Sequence, residues 1–179
     1  ILSVACGPAW ELRDLFQQPE DATRYSLTLL DQDAQALSEA RSAVEGAARA
    51  IDAEIHARYL CESVKTKRTD AELAEAWGRF DFIYSMGLFD YLTEKTAKSL
   101  LSTLYGQLQP GGRMIIGNYH TACVTRLYLD YWMDWPLVYR TESQLLALAG
   151  GLPSARTNIS FETTRSQMYL EISKPGEAA

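Results

Sequence analysis

The sequence has 179 residues, of which 47% are hydrophobic and 22% are charged, and its formal net charge is −6. This length and composition are typical of a globular domain with a buried core. No apolar run reaches membrane-spanning length, and no segment resembles a signal peptide. The acidic balance, with lysines and arginines spread thinly, argues against a nucleic-acid ligand and favours a small molecule.

The three cysteines, Cys6, Cys61 and Cys123, are an odd number without paired spacing, which favours free thiols and a cytoplasmic location. The two histidines belong to no Cys/His cluster, so we predict no metal site. The chain begins inside an apolar stretch and without a methionine. We therefore expect a single domain, residues 1–179, that lacks its native N-terminal segment.

The first stretch predicts a strand, a tight turn and a helix. Ile1–Val4 is mostly apolar, and small residues follow around Gly7. Apolar residues then recur at helical spacing at Leu12, Leu15 and Phe16. Such a unit can hold a ligand at the carboxyl end of its strand.

Strands and helices alternate along the rest of the chain. The predicted strands are Tyr25–Leu30, Ile55–Cys61, Phe80–Ser85, Met114–Asn118, Ala155–Glu162 and Gln167–Ile172. The predicted helices begin at Asp33, Thr69, Thr93 and Thr141, and a further helix is predicted within Thr125–Tyr139. The polar residues 17–23 predict a loop, and Pro110–Gly112 predicts the end of the helix that begins at Thr93. This alternation predicts a parallel sheet with helices on both faces, closed by an antiparallel hairpin.

An acidic residue, Asp31, ends the second predicted strand. A glycine turn after one strand and a carboxylate after the next suit an adenosine-containing cofactor, because the carboxylate can accept both ribose hydroxyls. That pattern fits NAD and S-adenosylmethionine. A dinucleotide site is expected to carry G-x-G-x-x-G, whereas this turn has one glycine.

Four blocks in this order resemble the class I S-adenosylmethionine-dependent methyltransferases: Val4–Pro8, Leu29–Asp33, Phe80–Ser85 and Leu108–Arg113. The resemblance runs from Ile1 to about Ile172. It implies a three-layer αβα Rossmann-like fold, with a mostly parallel seven-stranded sheet and a C-terminal antiparallel hairpin. It also implies S-adenosylmethionine as cofactor and methyl transfer as the reaction.

The resemblance implies cofactor contacts from four loops. The methionine end of the cofactor would contact Ala5, Cys6, Gly7 and Pro8, and the ribose would contact Asp31. The adenine would lie next to Gln32, Ser63 and Val64. The loop that closes over the methionine and faces the substrate would consist of Ser85, Met86 and Gly87. Two departures from the family pattern stand out. Ala9 and Trp10 replace glycines, and Ser63 stands where the family often has an aspartate.

Three segments are similar to a bacterial subgroup that makes 3-hydroxy fatty acid methyl esters: Ser85–Leu92, Gly117–His120 and Asp134–Thr141. This places candidate substrate residues at Asn118, His120, Arg126, Tyr139 and Arg140. The fourth strand ends in a serine and lacks the Asn/Asp-Pro-Pro-aromatic motif of amino-methylating nucleic-acid enzymes. We therefore predict O-methylation of a small-molecule or fatty-acid-like acceptor.

Several of these residues have a structural alternative. His120 is either a general base or a hydrogen-bonded structural residue. Arg126 and Arg140 bind a substrate carboxylate or pair with Asp130, Asp134 or Glu142. Asp90 reaches the acceptor or caps the segment after it. Four aromatic residues either line an apolar pocket or pack in a core or an interface: Tyr128, Tyr131, Trp132 and Trp135.

Two functions from different classes follow. The first is a cytoplasmic S-adenosylmethionine-dependent methyltransferase, and the second is a methyltransferase-fold module that binds partners without catalysis. A nucleotide-dependent oxidoreductase is a distant third. We expect no nucleic-acid partner and no stable membrane insertion, and a homodimer is compatible with the sequence, which does not define the oligomeric state.

Overall fold

A computed structural model describes residues 1–65 and 68–176. The chain divides into two compact units, Ile1–Arg68 and Thr69–Ala179. In the described part, none of the helices combines the length and the apolar character needed to cross a membrane. The prediction of one domain over residues 1–179 stays a prediction.

The first unit contains three parallel strands in the order β3-β2-β1. Its elements are β1 (Leu2–Val4), α1 (Leu12–Leu15), α2 (Pro19–Arg24), β2 (Leu27–Asp31), α3 (Ala34–Ile51) and β3 (Ala57–Cys61). Register pairs Leu2 with Thr28 and Leu27 with Ala57. The three strands therefore run in the same direction and end at the same edge, as the sequence predicts.

Helix α3 begins at the predicted residue and closes the core of the first unit. The Asp33 side chain accepts a hydrogen bond from the Gln35 N–H at 2.8 Å and caps the helix. Leu37, Ala40 and Val44 are buried at helical spacing. They pack with buried residues of α1 and β2 in one apolar cluster.

The prediction of a loop over residues 17–23 is wrong, because α2 lies there. The Asp21 carboxylate accepts hydrogen bonds from the Gln17 and Gln18 N–H groups at 3.0 and 3.2 Å. Pro19 occupies the first turn, where its missing N–H costs nothing. The proline starts this helix instead of excluding one.

The second unit contains four strands in the order β4-β5-β7-β6. Its elements are α4 (Asp70–Ala76), β4 (Phe80–Ser85), a 3-10 turn (Phe89–Tyr91), α5 (Glu94–Gly106), β5 (Leu108–Tyr119), a π-helical turn (Tyr128–Trp132), α6 (Glu142–Leu148), β6 (Arg156–Phe161) and β7 (Gln167–Ser173). Strands β4 and β5 are parallel, whereas β7 is antiparallel to β5 and to β6. The predicted hairpin is confirmed.

Strand β5 is longer than predicted, and α5 ends before Pro110–Gly112. Phe80 pairs with Leu108, but Phe82 pairs with Arg113, so the register shifts between them. The extra residues on β5 form an irregular strand start that accommodates the proline and the left-handed Gly111 (φ +79°). The proline and glycines thus lie within β5 and do not end α5.

The aromatic segment contains one helical turn, Tyr128–Trp132, where the sequence predicts a helix. Leu127 and Trp132 are 71% and 79% exposed. Tyr128, Tyr131 and Trp135 are also exposed, so core packing is the wrong prediction for this group. These side chains form an apolar surface of the second unit.

Candidate functional site

The loop after β1 has three residues in the left-handed conformation. Their φ angles are 51° at Ala5, 53° at Gly7 and 52° at Ala9. Glycine adopts this conformation freely, whereas alanine does so at a cost. Ala9 is 1% exposed and its N–H donates to the Cys6 carbonyl at 3.1 Å. The loop therefore follows a glycine-type path although two of its left-handed positions are alanines.

The carboxylate of Asp31 lies against this loop. Its Oδ2 accepts a hydrogen bond from the Gly7 N–H, and its Oδ1 accepts one from the Asp33 N–H, both at 2.9 Å. The loop is also tied to β2 through the Cys6 N–H, which donates to the Leu30 carbonyl at 3.1 Å. The glycine turn and the acidic residue that the sequence singles out are thus in direct contact.

The Cys6 thiol is half-buried and lies near two carboxylates. Burial, followed by the negative charges of Asp31 and Glu11, raises the pKa of Cys6 to about 12. A thiol with that pKa stays protonated at neutral pH. The same carboxylates make the loop favourable for a ligand that carries positive charge.

The other predicted cofactor residues of the first unit lie near Asp31. Gln32 is exposed and follows Asp31 directly. The Glu62 N–H donates to the Asp31 carbonyl at 3.0 Å, which places the exposed Ser63 and the half-buried Val64 just beyond the end of β3. One edge of the sheet therefore brings these residues together with the loop after β1.

A cavity of about 220 Å³ in the first unit involves the loop only at Pro8. Its other lining residues are Trp10, which precedes α1, Arg13 of α1, and three residues of α3. It contains neither Asp31 nor Gly7. This cavity is therefore not the predicted cofactor site.

In the second unit, the loop Ser85–Gly87 is held by a residue of β7. The Gln167 side-chain amide donates to the Met86 carbonyl at 2.9 Å. Gly117 lies against the same loop, since a Cβ there would lie 2.9 Å from the Met86 carbonyl oxygen. Ser85 is buried, whereas Met86 and Gly87 are exposed.

Two predicted substrate residues, Asn118 and Arg140, are buried and bonded to each other. The Arg140 guanidinium donates to the carbonyls of Phe89 and Leu92 at 2.8 and 2.6 Å, and to the Asn118 side-chain oxygen. We call Phe89, Leu92, Asn118 and Arg140 the Arg140 clasp. Arg140 is 4% exposed and its guanidinium makes these three hydrogen bonds to the protein's own acceptors, so the expectation of a surface ion pair is wrong, whereas contact with a substrate carboxylate stays a prediction.

Asn118 completes the clasp from the end of β5. Its side-chain amide donates to the carbonyls of Tyr119 and Val138, each at 3.0 Å. Its oxygen is taken by Arg140. Asn118 therefore fixes the segment before α6 against the end of β5.

Asp90 is 2% exposed and lies beside the clasp. Its Oδ1 accepts a hydrogen bond from the Tyr119 N–H at 2.7 Å, and its carbonyl accepts one from the Val138 N–H at 2.7 Å. Burial raises the pKa of Asp90 to about 6, which the Tyr119 bond and the charge of Arg140 partly oppose. Of the two predicted roles of Asp90, capping of the following segment is wrong, because its carboxylate binds the Tyr119 N–H and Thr93 caps α5. Contact with the acceptor stays a prediction.

His120 has a partner on each ring nitrogen. Its Nδ1 accepts a hydrogen bond from the Ala122 N–H at 3.2 Å, and its Nε2 lies 3.1 Å from a Glu142 carboxylate oxygen. Nδ1 is therefore an acceptor and Nε2 carries the hydrogen. The geometry matches the structural alternative, and a catalytic role for His120 stays a prediction that requires one of these bonds to break.

Arg126 and Tyr139 form a half-exposed cluster with Asp130. The Arg126 Nε lies 3.3 Å from Asp130, the Tyr139 hydroxyl donates to Asp130 at 3.1 Å, and the guanidinium lies 4.5 Å from the Tyr139 ring centre. Arg126 thus makes the surface ion pair that was one of its two predicted roles.

A cavity of about 290 Å³ in the second unit is lined by Val138, Tyr139 and Arg140, by Glu94 of α5 and by three residues of α6. Of the predicted substrate residues, Tyr139 and Arg140 alone line it, and Asn118, His120 and Arg126 do not. The sequence did not predict that Gln167 holds the Ser85–Gly87 loop, nor that Asp90 is buried and bonded to the end of β5. Their partners lie 81 and 29 residues away, and neither belongs to a local motif.

The sequence matches the methyltransferase-domain family over residues 1–112. Because this match covers more than half of the chain, the chain belongs to that family. The predicted fold class and the resemblance to class I S-adenosylmethionine-dependent methyltransferases are confirmed, and S-adenosylmethionine is the methyl donor of the class. The resemblance to the subgroup that makes 3-hydroxy fatty acid methyl esters stays a prediction. No curated protein resembles the chain in sequence at a significant level.

Solved structures share the fold over nearly the whole chain. An O-methyltransferase family protein from Burkholderia thailandensis has a TM-score of 0.75 at 9% identity, covering 99% of this chain and 51% of its own. Magnesium protoporphyrin IX methyltransferase from Synechocystis PCC 6803, with bound S-adenosylhomocysteine, has a TM-score of 0.64 at 14% identity, with coverages of 97% and 72%. An S-adenosylmethionine-dependent methyltransferase from Methanosarcina mazei has a TM-score of 0.64 at 15% identity, with coverages of 98% and 92%.

Several structural relatives are longer proteins. The chain spans 61% of a similar protein from Bordetella parapertussis and about half of the Burkholderia protein. At these identities the likeness establishes the fold and leaves the acceptor undefined.

Proposed function

We propose that this chain transfers a methyl group from S-adenosylmethionine to an oxygen of a small-molecule or fatty-acid-like acceptor. The observation that carries the cofactor part is the contact between Asp31 and the Gly7 N–H at 2.9 Å. It brings the acidic residue and the glycine loop to one edge of the first unit's sheet. That is the edge at which open α/β sheets bind nucleotide-like ligands.

Each part of the cofactor has a candidate partner. Asp31 is half-buried and retains lone pairs for the two ribose hydroxyls. The loop Ala5–Pro8 would hold the methionine end, and Gln32, Ser63 and Val64 would border the adenine. The negative charge of Asp31 and Glu11, which also raises the pKa of Cys6, favours a sulfonium over a phosphate ligand.

Methyl transfer mainly requires that the acceptor and the methyl donor are correctly positioned. Bound S-adenosylmethionine supplies an activated methyl group, so the chain needs to hold the acceptor oxygen in line with it. Correct positioning can contribute roughly 7–11 kcal/mol to lowering the barrier. Ser85–Gly87, held by Gln167 and close to Gly117, is the loop that would orient the acceptor.

The aromatic surface supports an apolar acceptor. Tyr131 and Trp132 are 82% and 79% exposed, and Leu127 is 71% exposed. Large exposed apolar patches mark sites of binding. The Trp135 indole donates to the Tyr91 hydroxyl at 2.6 Å, which joins this surface to the turn after β4. The alternative to acceptor binding is that this surface forms the interface of a homodimer.

A cytoplasmic location is part of the proposal. Cys6, Cys61 and Cys123 are free thiols in the structure. Unpaired cysteines suit a reducing compartment.

Calorimetry with S-adenosylmethionine and S-adenosylhomocysteine tests the cofactor assignment, with NAD as the control ligand. We expect both sulfur ligands to bind and NAD not to bind. Binding of NAD alone would favour an oxidoreductase. Incubation with methyl-labelled S-adenosylmethionine and a bacterial lysate then tests transfer, and cofactor binding without any labelled product would favour a module that binds partners without catalysis.

A further inference from the structure

The loop after β1 follows an unfavourable backbone path. Ala5 and Ala9 are left-handed on either side of the left-handed Gly7. Alanine disfavours this conformation, so other interactions must hold the loop there. The neighbouring backbone bonds, from Cys6 to Leu30 and from Ala9 to Cys6, fix its two halves.

The Gly7 N–H, at the centre of the loop, is bound by a side chain of β2. It donates to the Asp31 Oδ2 at 2.9 Å, while the Asp33 N–H donates to Oδ1 at 2.9 Å. Hydrogen bonds to a carboxylate are among the stronger ones in proteins. The Asp33 bond orients the carboxylate, and the Gly7 bond transmits that orientation to the loop.

We propose that Asp31 is a positioning residue, which fixes the Ala5–Ala9 loop in its binding shape before the cofactor arrives. This role is additional to a ribose contact, and it rests on the proposed function above. A carboxylate has about four acceptor positions, two of which the backbone uses here. The remaining two are available to the two hydroxyls of the ribose.

The same bond gives the loop a specificity. A phosphate bound at a glycine turn takes hydrogen bonds from free backbone N–H groups. Here the Gly7 N–H is already bound to a negative carboxylate. A phosphate at this place would lack that donor and lie beside the Asp31 carboxylate, so the bond disfavours a phosphate there.

Hydrogen exchange in the ligand-free protein tests the positioning role. In Asp31→Ala we expect the Gly7 amide to exchange roughly tenfold faster or more, because a hydrogen bond to a charged acceptor is lost. The amide of Leu29, in the core of β2, should keep its protection and so report that the variant is folded. Unchanged exchange at Gly7 in folded Asp31→Ala would overturn the proposal.

Asp33→Asn is the matched control, because asparagine keeps the cap of α3. It removes the same charge two residues away, but its backbone N–H can still donate to Asp31. We expect the Gly7 amide to exchange as in the wild type. If Asp31→Ala does not fold, Asp31→Asn replaces it, since it keeps the side-chain shape and weakens the acceptor. A Gly7 amide unchanged in folded Asp31→Asn would then count against the proposal.

Ligand binding separates positioning from ribose contact. S-adenosylhomocysteine and its 2′,3′-dideoxy analogue are titrated into the wild type and Asp31→Ala. Positioning predicts that the variant binds both ligands more weakly, by tenfold or more for the analogue. An unchanged affinity for the analogue would reduce Asp31 to a ribose ligand and overturn the proposal. If the wild type binds neither ligand, the proposed function fails, and the exchange experiment still decides the role of Asp31.

Discussion

The carboxylate of Asp90 accepts a hydrogen bond from the Tyr119 N–H at 2.7 Å, although 29 residues separate the two in sequence. The bond joins the turn after β4 to the end of β5. Burial of Asp90 raises its pKa to about 6, from an ordinary value of 3.8. The ionised carboxylate is therefore less favourable in the folded protein than in the unfolded chain.

Stability is expected to depend on pH through Asp90. Because its folded pKa exceeds its unfolded pKa, the favourable contribution is fully present below pH 3.8 and is lost as the pH rises through about 6. Asp90→Asn lacks this titration. The free energy of unfolding of Asp90→Asn minus that of the wild type should therefore rise by up to about 2–3 kcal/mol between pH 4 and pH 7.

Urea unfolding at both pH values measures that gain. Asp81→Asn, at an exposed position of β4, is the control for the same change of side chain outside the core. A difference between Asp90→Asn and the wild type that stays constant from pH 4 to pH 7 would show that Asp90 does not titrate in this range.

Removal of the Arg140 side chain should be strongly destabilising. Arg140→Met would leave the carbonyls of Phe89 and Leu92 and the Asn118 oxygen without their donor, in a buried place. We expect a loss of about 3–5 kcal/mol in urea unfolding. Arg126→Met, which removes an exposed ion pair, should cost about 1 kcal/mol or less. Equal losses for the two variants would contradict the assignment of the clasp.

The His120 ring should carry its hydrogen on Nε2. Nδ1 accepts from the Ala122 N–H and Nε2 faces Glu142, so this tautomer satisfies both partners. The ¹⁵N chemical shifts of the ring at pH 8 distinguish the two tautomers. Glu142→Gln should keep the Nε2–H form, because the amide oxygen can still accept. A dominant Nδ1–H form would restore His120 as a candidate base with a free Nε2.

Glycine at Ala5 should stabilise the protein. Ala5 is left-handed (φ 51°), a conformation that costs alanine about 1–2 kcal/mol. The greater freedom of glycine in the unfolded chain offsets about 0.4–1 kcal/mol. We expect Ala5→Gly to raise the free energy of unfolding by about 0.5–1 kcal/mol. The same change at exposed Ala50 in α3 should lower it by a similar amount. Destabilisation of both variants would place the loop in another conformation.

A methyl group at Gly117 should disturb the Ser85–Gly87 loop. The Cβ would lie 2.9 Å from the Met86 carbonyl oxygen and 3.2 Å from its Cα, which are both backbone atoms. Gly117→Ala should therefore lower stability by about 1–3 kcal/mol and shift the Met86 amide resonance. Gly46→Ala in α3 meets nothing within 4 Å and should stabilise by about 0.5–1 kcal/mol. An unshifted Met86 resonance in Gly117→Ala would argue against this close contact.

The fold was largely predictable because its signals are local. Phe80–Ser85 is a nearly continuous apolar run and matches β4 at both ends. Thr69, Thr93 and Thr141 each accept a backbone hydrogen bond at the start of a helix, as their spacing predicts. The prediction that Pro110 ends a helix was wrong because the proline lies at a register shift between β4 and β5. Such a shift is a property of two paired strands, which the local sequence does not display.

The site was predictable where strand ends determine it. Asp31 ends β2 and Gly7 follows the neighbouring parallel strand β1, so their proximity is expected from the alternation of strands and helices. The substrate side was harder, since Arg140 meets Phe89 and Asn118 at separations of 51 and 22 residues. From its residue type alone, Arg140 is expected to bind a ligand or to form a surface ion pair. Its burial, which the sequence does not display, makes it bind backbone carbonyls instead.

The segment between Thr121 and Arg140 begins and ends at the same place. The Arg140 N–H donates to the Tyr119 carbonyl and the Thr121 N–H donates to the Arg140 carbonyl, each at 3.1 Å. Because its ends are fixed, a change in the length of this loop carries only a small closure cost. The exposed part of this segment, around Tyr128–Trp132, can therefore change in length and sequence while its bonded end at Val138 and Arg140 and the strands beneath it stay unchanged.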